Sequence, residues 1–219
     1  MQYKAVFFDF DFTLGDCAEA IVAGFRYAFS KMGLPEPDGE AVRRTVGMPL
    51  EDEYTFLSGD ANLENRARFR AFYTEKAGPM QVETARLCPG ARELLDALSQ
   101  AGIPVGVVST KKSDTLLAIL EARGAASLFA TITGGDRVKH PKPDPEGLLS
   151  AIAAQGLSPE QVLYCGDTVI DAETAQRAGA HFCAVLNGTT SAADFDSAGF
   201  PMEHVAPDLW DLKNWLNLN

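Results

Sequence analysis

Apolar residues follow two spacings along the chain. Short apolar runs, typical of strands buried on both faces of a parallel sheet, occur at residues 5–8, 103–108, 131–132, 161–165 and 182–186. Apolar residues three or four positions apart, typical of helices, occur at residues 91–100, 113–123, 146–155, 171–178 and 209–216. Strands and helices therefore alternate from residue 89 onward, which predicts a parallel sheet with helices on both faces.

The segment after the first predicted strand has helical spacing and no convincing strand. Asp16, followed three residues later by Glu19, predicts a capped helix start, and Gly33 predicts the end of that helix. Residues 40–78 predict further short helices, of which residues 63–76 form the clearest.

This helical block lies between the first strand and the rest of the alternating pattern. The apolar character of the first strand places it in the same sheet as the later strands. We therefore predict an α/β protein with a Rossmann-like core domain, residues 1–15 and 88–219, and an inserted all-helical cap domain, residues 16–87.

Composition and charge narrow the function classes. The chain has 219 residues, of which 46% are apolar and 22% charged, with a formal net charge of −11. No cluster of Lys and Arg stands out, so a nucleic-acid partner is not expected. No signal peptide and no apolar run of about 18 residues is present, so we expect a cytoplasmic protein without a membrane partner. The sequence does not indicate an oligomeric state.

Cysteines and histidines do not suggest a zinc site. The four cysteines are far apart and form no CxxC pair, so we expect them to be reduced and structural. The three histidines are equally scattered and lack metal-ligand spacing.

Candidate chemistry begins where the first strand ends. Asp9 and Asp11 lie two residues apart at that end, where alternate side chains point the same way and where α/β sheets bind ligands. Two carboxylates in one small space repel each other, and a divalent cation such as Mg²⁺ would relieve the repulsion. A DxD pair also occurs in ordinary turns and helix caps, so the pair alone does not establish a site.

Three further features follow other predicted strands or precede helices. They are Ser109-Thr110-Lys111, Lys142 in a proline-rich loop, and Asp167 with Asp171. Each has a plainer explanation as a helix cap, a solvated charge or a turn residue. Together they place acidic pairs, a hydroxyl group and a lysine at one sheet edge, a combination that suits phosphoryl transfer.

With these motifs in place, the sequence resembles the haloacid dehalogenase superfamily, in its branch of capped phosphatases similar to phosphoglycolate phosphatase. The resemblance covers nearly the whole chain. Residues 8–14 match the first motif, hhDxDxT, and residues 107–111 match the second, a strand that ends in Ser or Thr. Lys142-Pro143-x-Pro145 matches the third motif, and Gly166-Asp167-x-x-x-Asp171 the fourth.

The resemblance implies a role for each motif residue. Asp9 would be the nucleophile that forms an aspartyl-phosphate, and Asp11 the general acid and base. Ser109 and Thr110 would bind the phosphoryl group, with Lys142 balancing its charge. Mg²⁺ would be held by the residues of the two acidic pairs: the Asp9 carboxylate, the Asp11 backbone carbonyl, Asp167 and, assisting through water, Asp171.

Phe12 departs from the pattern of this branch, which usually has Gly after the second Asp. Gly allows a positive φ and a close approach to phosphate, whereas Phe with a positive φ would be strained. The resemblance leaves two roles for Phe12, packing against the cap hinge or narrowing the pocket.

The expected function is a Mg²⁺-dependent phosphatase that hydrolyses a small phosphorylated metabolite, with phosphoglycolate leading. A phosphomutase, a 5′-nucleotidase or pyrophosphatase of the same superfamily, and an inactive phosphate-binding regulator are the alternatives. Dehalogenases of the superfamily lack an acid at the position of Asp11, so a dehalogenase is not favoured. Arg43 and Arg44 would either bind a substrate carboxylate or be exposed helix residues.

Overall fold

A computed structural model describes residues 3–218. Its centre is a six-stranded, fully parallel sheet with the strand order β5-β4-β1-β6-β7-β8. The strands are β1 (Ala5–Phe8), β4 (Val105–Val108), β5 (Thr131–Thr133), β6 (Val162–Gly166), β7 (His181–Val185) and β8 (His204–Ala206). This sheet confirms the predicted α/β fold.

Helices cover both faces of this sheet, and its central strands are therefore buried on both sides. One buried cluster includes Val6, Phe8 and Val107, whereas Phe7, Val108 and Tyr164 belong to a second cluster. The helices of this part of the chain are α5 (Ala91–Gln100), α6 (Ser113–Ala122), α7 (Glu146–Ala154), α8 (Val169–Ala178), α9 (Ala192–Ala198) and α10 (Leu209–Trp215).

Four helices form the segment that we call the helical insertion, residues 16–87. They are α1 (Ala18–Met32), α2 (Gly39–Thr45), α3 (Leu50–Ser58) and α4 (Leu63–Thr84). The short strands β2 (Gly15–Asp16) and β3 (Arg86–Leu87) pair antiparallel where the chain enters and leaves this segment. Aromatic rings fill the space between its helices, among them Phe25, Phe69 and Tyr54, with 4.8 Å between the last two ring centroids.

The structure corrects three expectations about individual elements. The capping box at Asp16 is absent: Cys17 is the N-cap, Asp16 belongs to β2, and its carboxylate accepts the Ala18 N–H at 2.8 Å. Helix α4 continues past Pro79 to Thr84. Strand β8 and helix α9 were not predicted, because both are short and weakly patterned.

Packing explains why α4 continues beyond its predicted end. Helix α4 lies so close to α1 that a Cβ added at Gly24 would come within 2.7 Å of the Ala77 Cβ. This tertiary contact outweighs the local cost of proline within a helix.

None of the helices in the described residues 3–218 is long and apolar enough to span a membrane.

Candidate active site

Three neighbouring strands bring the predicted site residues together. In the sheet order, β1 lies between β4 and β6, and parallel strands end at the same edge. Asp9 follows β1, Ser109 follows β4 and Asp167 follows β6, and each is at most 5% exposed. These sequence-predicted residues therefore share one buried edge.

Hydrogen bonds hold the turn after β1 in a fixed conformation and orient the side chains of that turn. The Phe10 carbonyl accepts the backbone N–H of Leu14 at 2.9 Å and of Gly15 at 2.8 Å. The Thr13 hydroxyl donates to Asp167 Oδ1 at 2.9 Å. This hydrogen bond ties the first acidic turn to the one after β6.

Lys142 lies between two carboxylates in the interior. Its Nζ is 2.9 Å from Asp9 Oδ1, 2.6 Å from Asp171 Oδ1 and 3.1 Å from the Tyr164 hydroxyl oxygen. Lys142 is only 5% exposed, so these charges interact with little screening by water. The expected contact between Lys142 and Asp9 is present.

Asp171 is saturated with hydrogen bonds. Its Oδ1 accepts from Lys142 and lies 2.9 Å from the Tyr164 hydroxyl, while its Oδ2 accepts the Thr168 N–H at 3.1 Å and the Thr168 hydroxyl at 2.6 Å. The bond from the Thr168 N–H belongs to the capping box at the start of α8, in which the Asp171 N–H donates in turn to the Thr168 hydroxyl oxygen at 3.3 Å. The carboxylate of Asp171 thus holds Lys142 in position.

Lys111 connects the sheet edge to the helical insertion. Its Nζ lies 3.1 Å from Asp11 Oδ2 and donates to Gln81 Oε1, on α4, at 2.6 Å. The other Asp11 oxygen, Oδ1, is buried and has no hydrogen-bond partner within residues 3–218.

The site suits a divalent cation. It buries four carboxyl groups, Asp9, Asp11, Asp167 and Asp171, with the ammonium groups of Lys111 and Lys142, so the ionised set has two negative charges in excess. Carboxylate oxygens of Asp9, Asp167 and Asp171 lie within 4.8 Å of one another. Hard oxygen donors with an excess of negative charge match the preference of Mg²⁺.

Burial changes the ionisation of these carboxyl groups. It raises the pKa of Asp9 to about 6, against the opposing effect of Lys142 and with a smaller contribution from Asp171. Burial, followed by the charges of Asp171 and Asp9, also raises the pKa of Asp167 well above its ordinary value. A cation bound between these groups would favour their ionised forms.

Backbone comes close to Asp167 from the loop after β7. A Cβ added at Gly188 would lie 2.1 Å from Asp167 Oδ2, so a residue larger than glycine does not fit there without movement. The preceding Asn187 donates its side-chain N–H to the Thr13 carbonyl at 3.3 Å. Sequence reasoning missed this loop, although an Asn-Gly pair after a buried strand was the available signal.

A cavity of about 410 Å³ opens between this edge and the helical insertion. Asp11, Thr110 and Lys111 line it from the sheet side, while Glu53 and Gln81 line it from the insertion. Sequence reasoning did not find Glu53, Gln81 or Tyr164, because only the tertiary fold brings them to the site.

Arg43 and Arg44, considered above as residues that could bind a substrate carboxylate, do not line this cavity. Arg44 is an exposed helix residue that pairs with Glu40. The Arg43 guanidinium carbon lies 4.8 Å from the centroid of the Phe12 ring.

Ser109 does not cap α6, because the N-cap of that helix is Lys112.

The four cysteines are free and buried, as expected. His181 and His204 pair with Glu203 and Asp211, away from the site. His140 lies in an exposed loop beside Glu146, whose carboxylate accepts the backbone N–H groups of Lys139 and His140 at 3.0 Å.

Comparison with known proteins agrees with this geometry. The family described as haloacid dehalogenase-like hydrolase matches residues 6–185. The chain belongs to this family. Among curated relatives, the pyrophosphatase PpaX of Bacillus velezensis is 32% identical over 178 residues, with 81% of each chain covered. The phosphoglycolate phosphatase of Escherichia coli K12 is 29% identical, with 80% of this chain and 78% of the relative covered.

A solved structure of the family shares the fold. The haloacid dehalogenase-like hydrolase from Bacteroides fragilis is 35% identical, with a TM-score of 0.92 and coverage of 96% of this chain and 99% of that chain. The predicted membership of the haloacid dehalogenase superfamily and the predicted hydrolase class are confirmed.

Phe12 shows how this haloacid dehalogenase-like hydrolase accommodates a large residue in the first motif. Its φ of 57° is in the left-handed region, and its side chain is only 3% exposed. The ring lies beneath Arg43 of α2 and outside the cavity lining. Of the two predicted roles, narrowing the pocket is not supported, because the ring contacts Arg43 and does not line the cavity; packing against the cap hinge stays a prediction.

We expect Phe12→Gly to be more stable than Phe12→Ala by about 1 kcal/mol, because alanine keeps the strain of a positive φ and glycine does not. Both variants lose the ring and its contact with Arg43, so the comparison isolates the backbone. Urea unfolding followed by circular dichroism measures the difference. An alanine variant at least as stable as the glycine variant would contradict the strained φ.

We expect the free energy of unfolding of the metal-free protein to fall as the pH rises from about 4 to 6. The folded state binds the Asp9 proton more tightly than the unfolded state, so ionisation in this window disfavours folding by about 2 kcal/mol. Asp9→Asn lacks this contribution and should show a shallower pH dependence in EDTA. Identical slopes for both proteins would be evidence against the raised pKa.

Proposed function

We propose that this haloacid dehalogenase-like hydrolase is a Mg²⁺-dependent phosphatase that acts on a small phosphorylated metabolite through an aspartyl-phosphate on Asp9. The observation that carries the proposal is the position of Asp9. It is a buried carboxylate held at 2.9 Å by Lys142, at the edge where Asp11 opens onto a cavity.

The first step joins Asp9 to phosphorus. One Asp9 oxygen faces Lys142 and the other is left to attack the phosphorus atom, forming an O–P bond while the bond from phosphorus to the leaving oxygen breaks. Asp11 donates a proton to the leaving oxygen. Its Oδ1, which has no hydrogen-bond partner within residues 3–218, is suited to this transfer.

The second step releases phosphate. Asp11, now ionised, accepts a proton from a water molecule whose oxygen attacks phosphorus, and the bond between Asp9 and phosphorus breaks. The two steps return both carboxyl groups to their starting forms. The hydroxyl groups of Ser109 and Thr110 donate hydrogen bonds to the phosphoryl oxygens, and Lys142 balances their charge.

The residues that would hold Mg²⁺ are the Asp9 and Asp167 carboxylates and the Asp11 backbone carbonyl. Bound Mg²⁺ would balance the excess negative charge of the carboxylates and the phosphoryl group. Asp171 supports the site by orienting Lys142, since its oxygens already accept hydrogen bonds from Lys142 and Thr168.

The helical insertion, residues 16–87, acts as a cap domain in this proposal. The paired strands β2 and β3 are its connection to the core domain, residues 1–15 and 88–219. Closure of the cap would exclude water from the leaving group during the first step. The contact between Lys111 and Gln81 supports this assignment, because it joins the two parts beside Asp11.

We expect magnesium-dependent phosphate release from at least one member of a panel of phosphoglycolate, nucleoside monophosphates, pyrophosphate and sugar phosphates. Asp9→Asn should lower that release at least about a thousandfold, because the nucleophile is lost. Asp114→Asn, whose side chain is 93% exposed in the parent, is the matched control and should keep full activity. Turnover of a sugar bisphosphate without phosphate release would favour a phosphomutase.

We expect Asp167→Asn and Asp171→Asn to lower the phosphatase activity in different ways. Asp167→Asn should raise the Mg²⁺ concentration for half-maximal activity by about tenfold or more, since it removes a proposed ligand. Asp171→Asn should mainly lower kcat, because it releases Lys142. Magnesium titrations of both variants make the comparison, and equal shifts in the Mg²⁺ requirement would contradict this division.

A further inference from the structure

Glu53 is a buried carboxyl group on the wall of the cavity that also contains Asp11. It lies on α3 and is 7% exposed. The Thr45 hydroxyl donates to its Oε2 at 3.1 Å, and no cation of residues 3–218 lies within ion-pair distance of it. A group so deeply buried, with one hydrogen-bond partner, has remaining capacity to bind a ligand.

Other charged groups on the same wall are already paired. Arg66 pairs with Asp52 and Arg70 with Glu51, while Lys111 is 3.1 Å from Asp11. A negatively charged leaving group would have to displace a carboxylate from Arg66 or Arg70, or compete with Asp11 and Gln81 for Lys111.

The remaining cations near the cavity offer little to an anion. Lys112 and Lys139 line it but are exposed, so water and salt screen their charges. Arg43 and Arg44 lie outside its lining. Among the described residues 3–218, each cation on this wall that is not exposed therefore already has a partner, whereas the Glu53 carboxyl group has only the Thr45 hydroxyl.

The location of Glu53 places it on the side of the leaving group. Asp11 protonates the leaving oxygen in the proposed reaction and lines the cavity, so the rest of the leaving group extends from Asp11 into that space. Asp11 and Lys111 are close enough to Glu53 for their charges to change its pKa, although burial is the main cause that raises it. A hydroxyl group both donates and accepts, so it matches Glu53 in either protonation state.

We propose that Glu53 is a specificity-determining residue that hydrogen-bonds a hydroxyl group of the leaving group, so that the enzyme selects phosphate esters of uncharged polyols or sugars. Carboxylate-bearing and phosphate-bearing leaving groups are disfavoured. This inference rests on the proposed phosphatase function. A volume of about 410 Å³ is within the range of small-molecule sites.

The matched substrates for the test are glycerol 3-phosphate and 3-phosphoglycerate, which differ by a hydroxymethyl group in place of a carboxylate. We expect wild-type kcat/KM with Mg²⁺ to be at least about tenfold higher for glycerol 3-phosphate. Glu53→Met should lower that value about tenfold or more while leaving p-nitrophenyl phosphate, whose leaving group has no second hydroxyl, within about threefold.

Two further variants separate recognition from folding. Glu53→Gln keeps a hydrogen-bonding side chain and should recover most of the glycerol 3-phosphate activity that Glu53→Met loses. Glu64→Met removes a carboxylate from an exposed position of α4 and should match the wild type on all substrates.

Three results would overturn the inference. They are a wild-type preference for 3-phosphoglycerate or pyrophosphate, an equal loss on all substrates in a folded Glu53→Met protein, and no recovery with Glu53→Gln. Absence of magnesium-dependent release by the wild type from p-nitrophenyl phosphate, glycerol 3-phosphate and every member of the metabolite panel would overturn the phosphatase function itself. That result is distinct from a changed preference between substrates.

Discussion

The crowding of carboxyl groups at one buried sheet edge is the constraint on which the rest of the site depends. Four such groups cannot remain ionised together without positive charge beside them. The fold supplies two lysines, which contact three of the four carboxyl groups, while the fourth, Asp167, accepts a hydrogen bond from Thr13. Lys142 holds Asp9 and Asp171, whereas Lys111 holds Asp11. The site thereby separates Asp9, the proposed nucleophile, from Asp11, the proposed acid–base group, while keeping both at the same edge.

The two lysines differ in what else they contact. Lys142 is enclosed by the sheet side of the molecule, with the Tyr164 hydroxyl oxygen 3.1 Å from its Nζ. Lys111 reaches Gln81 on α4, so the charge beside Asp11 is shared with the helical insertion. A movement of the insertion would therefore change the surroundings of Asp11 directly and those of Asp9 only indirectly. In the proposed mechanism, this asymmetry would link closure of the cavity to Asp11, the group that transfers protons.

The sequence predicted which residues would meet at the sheet edge, because strand ends and short motifs are local features. Asp9, Ser109 and Asp167 each follow an apolar run, and the parallel topology brings such positions together. The predicted capping box at Asp16 was wrong, because this residue belongs to strand β2. Helix α4 extends beyond its predicted end at residue 76 because its packing on α1 outweighs the local cost of Pro79 within a helix.

The cavity side of the site arises from packing between elements distant in the chain, so no short motif predicts it. Glu53 stands out as a candidate site residue only in the folded structure, because it is buried there and because Arg66 and Arg70 pair with other acids. From the sequence alone, Glu53 is a charged residue in a predicted helix, and such residues are usually exposed to solvent. In the proposed reaction, the residues that perform the chemistry are thus set by sheet topology, whereas those that would face the leaving group are set by the inserted helices. On this proposal, changes in the insertion would alter substrate choice without disturbing the sheet edge, so the family assignment alone does not determine the substrate.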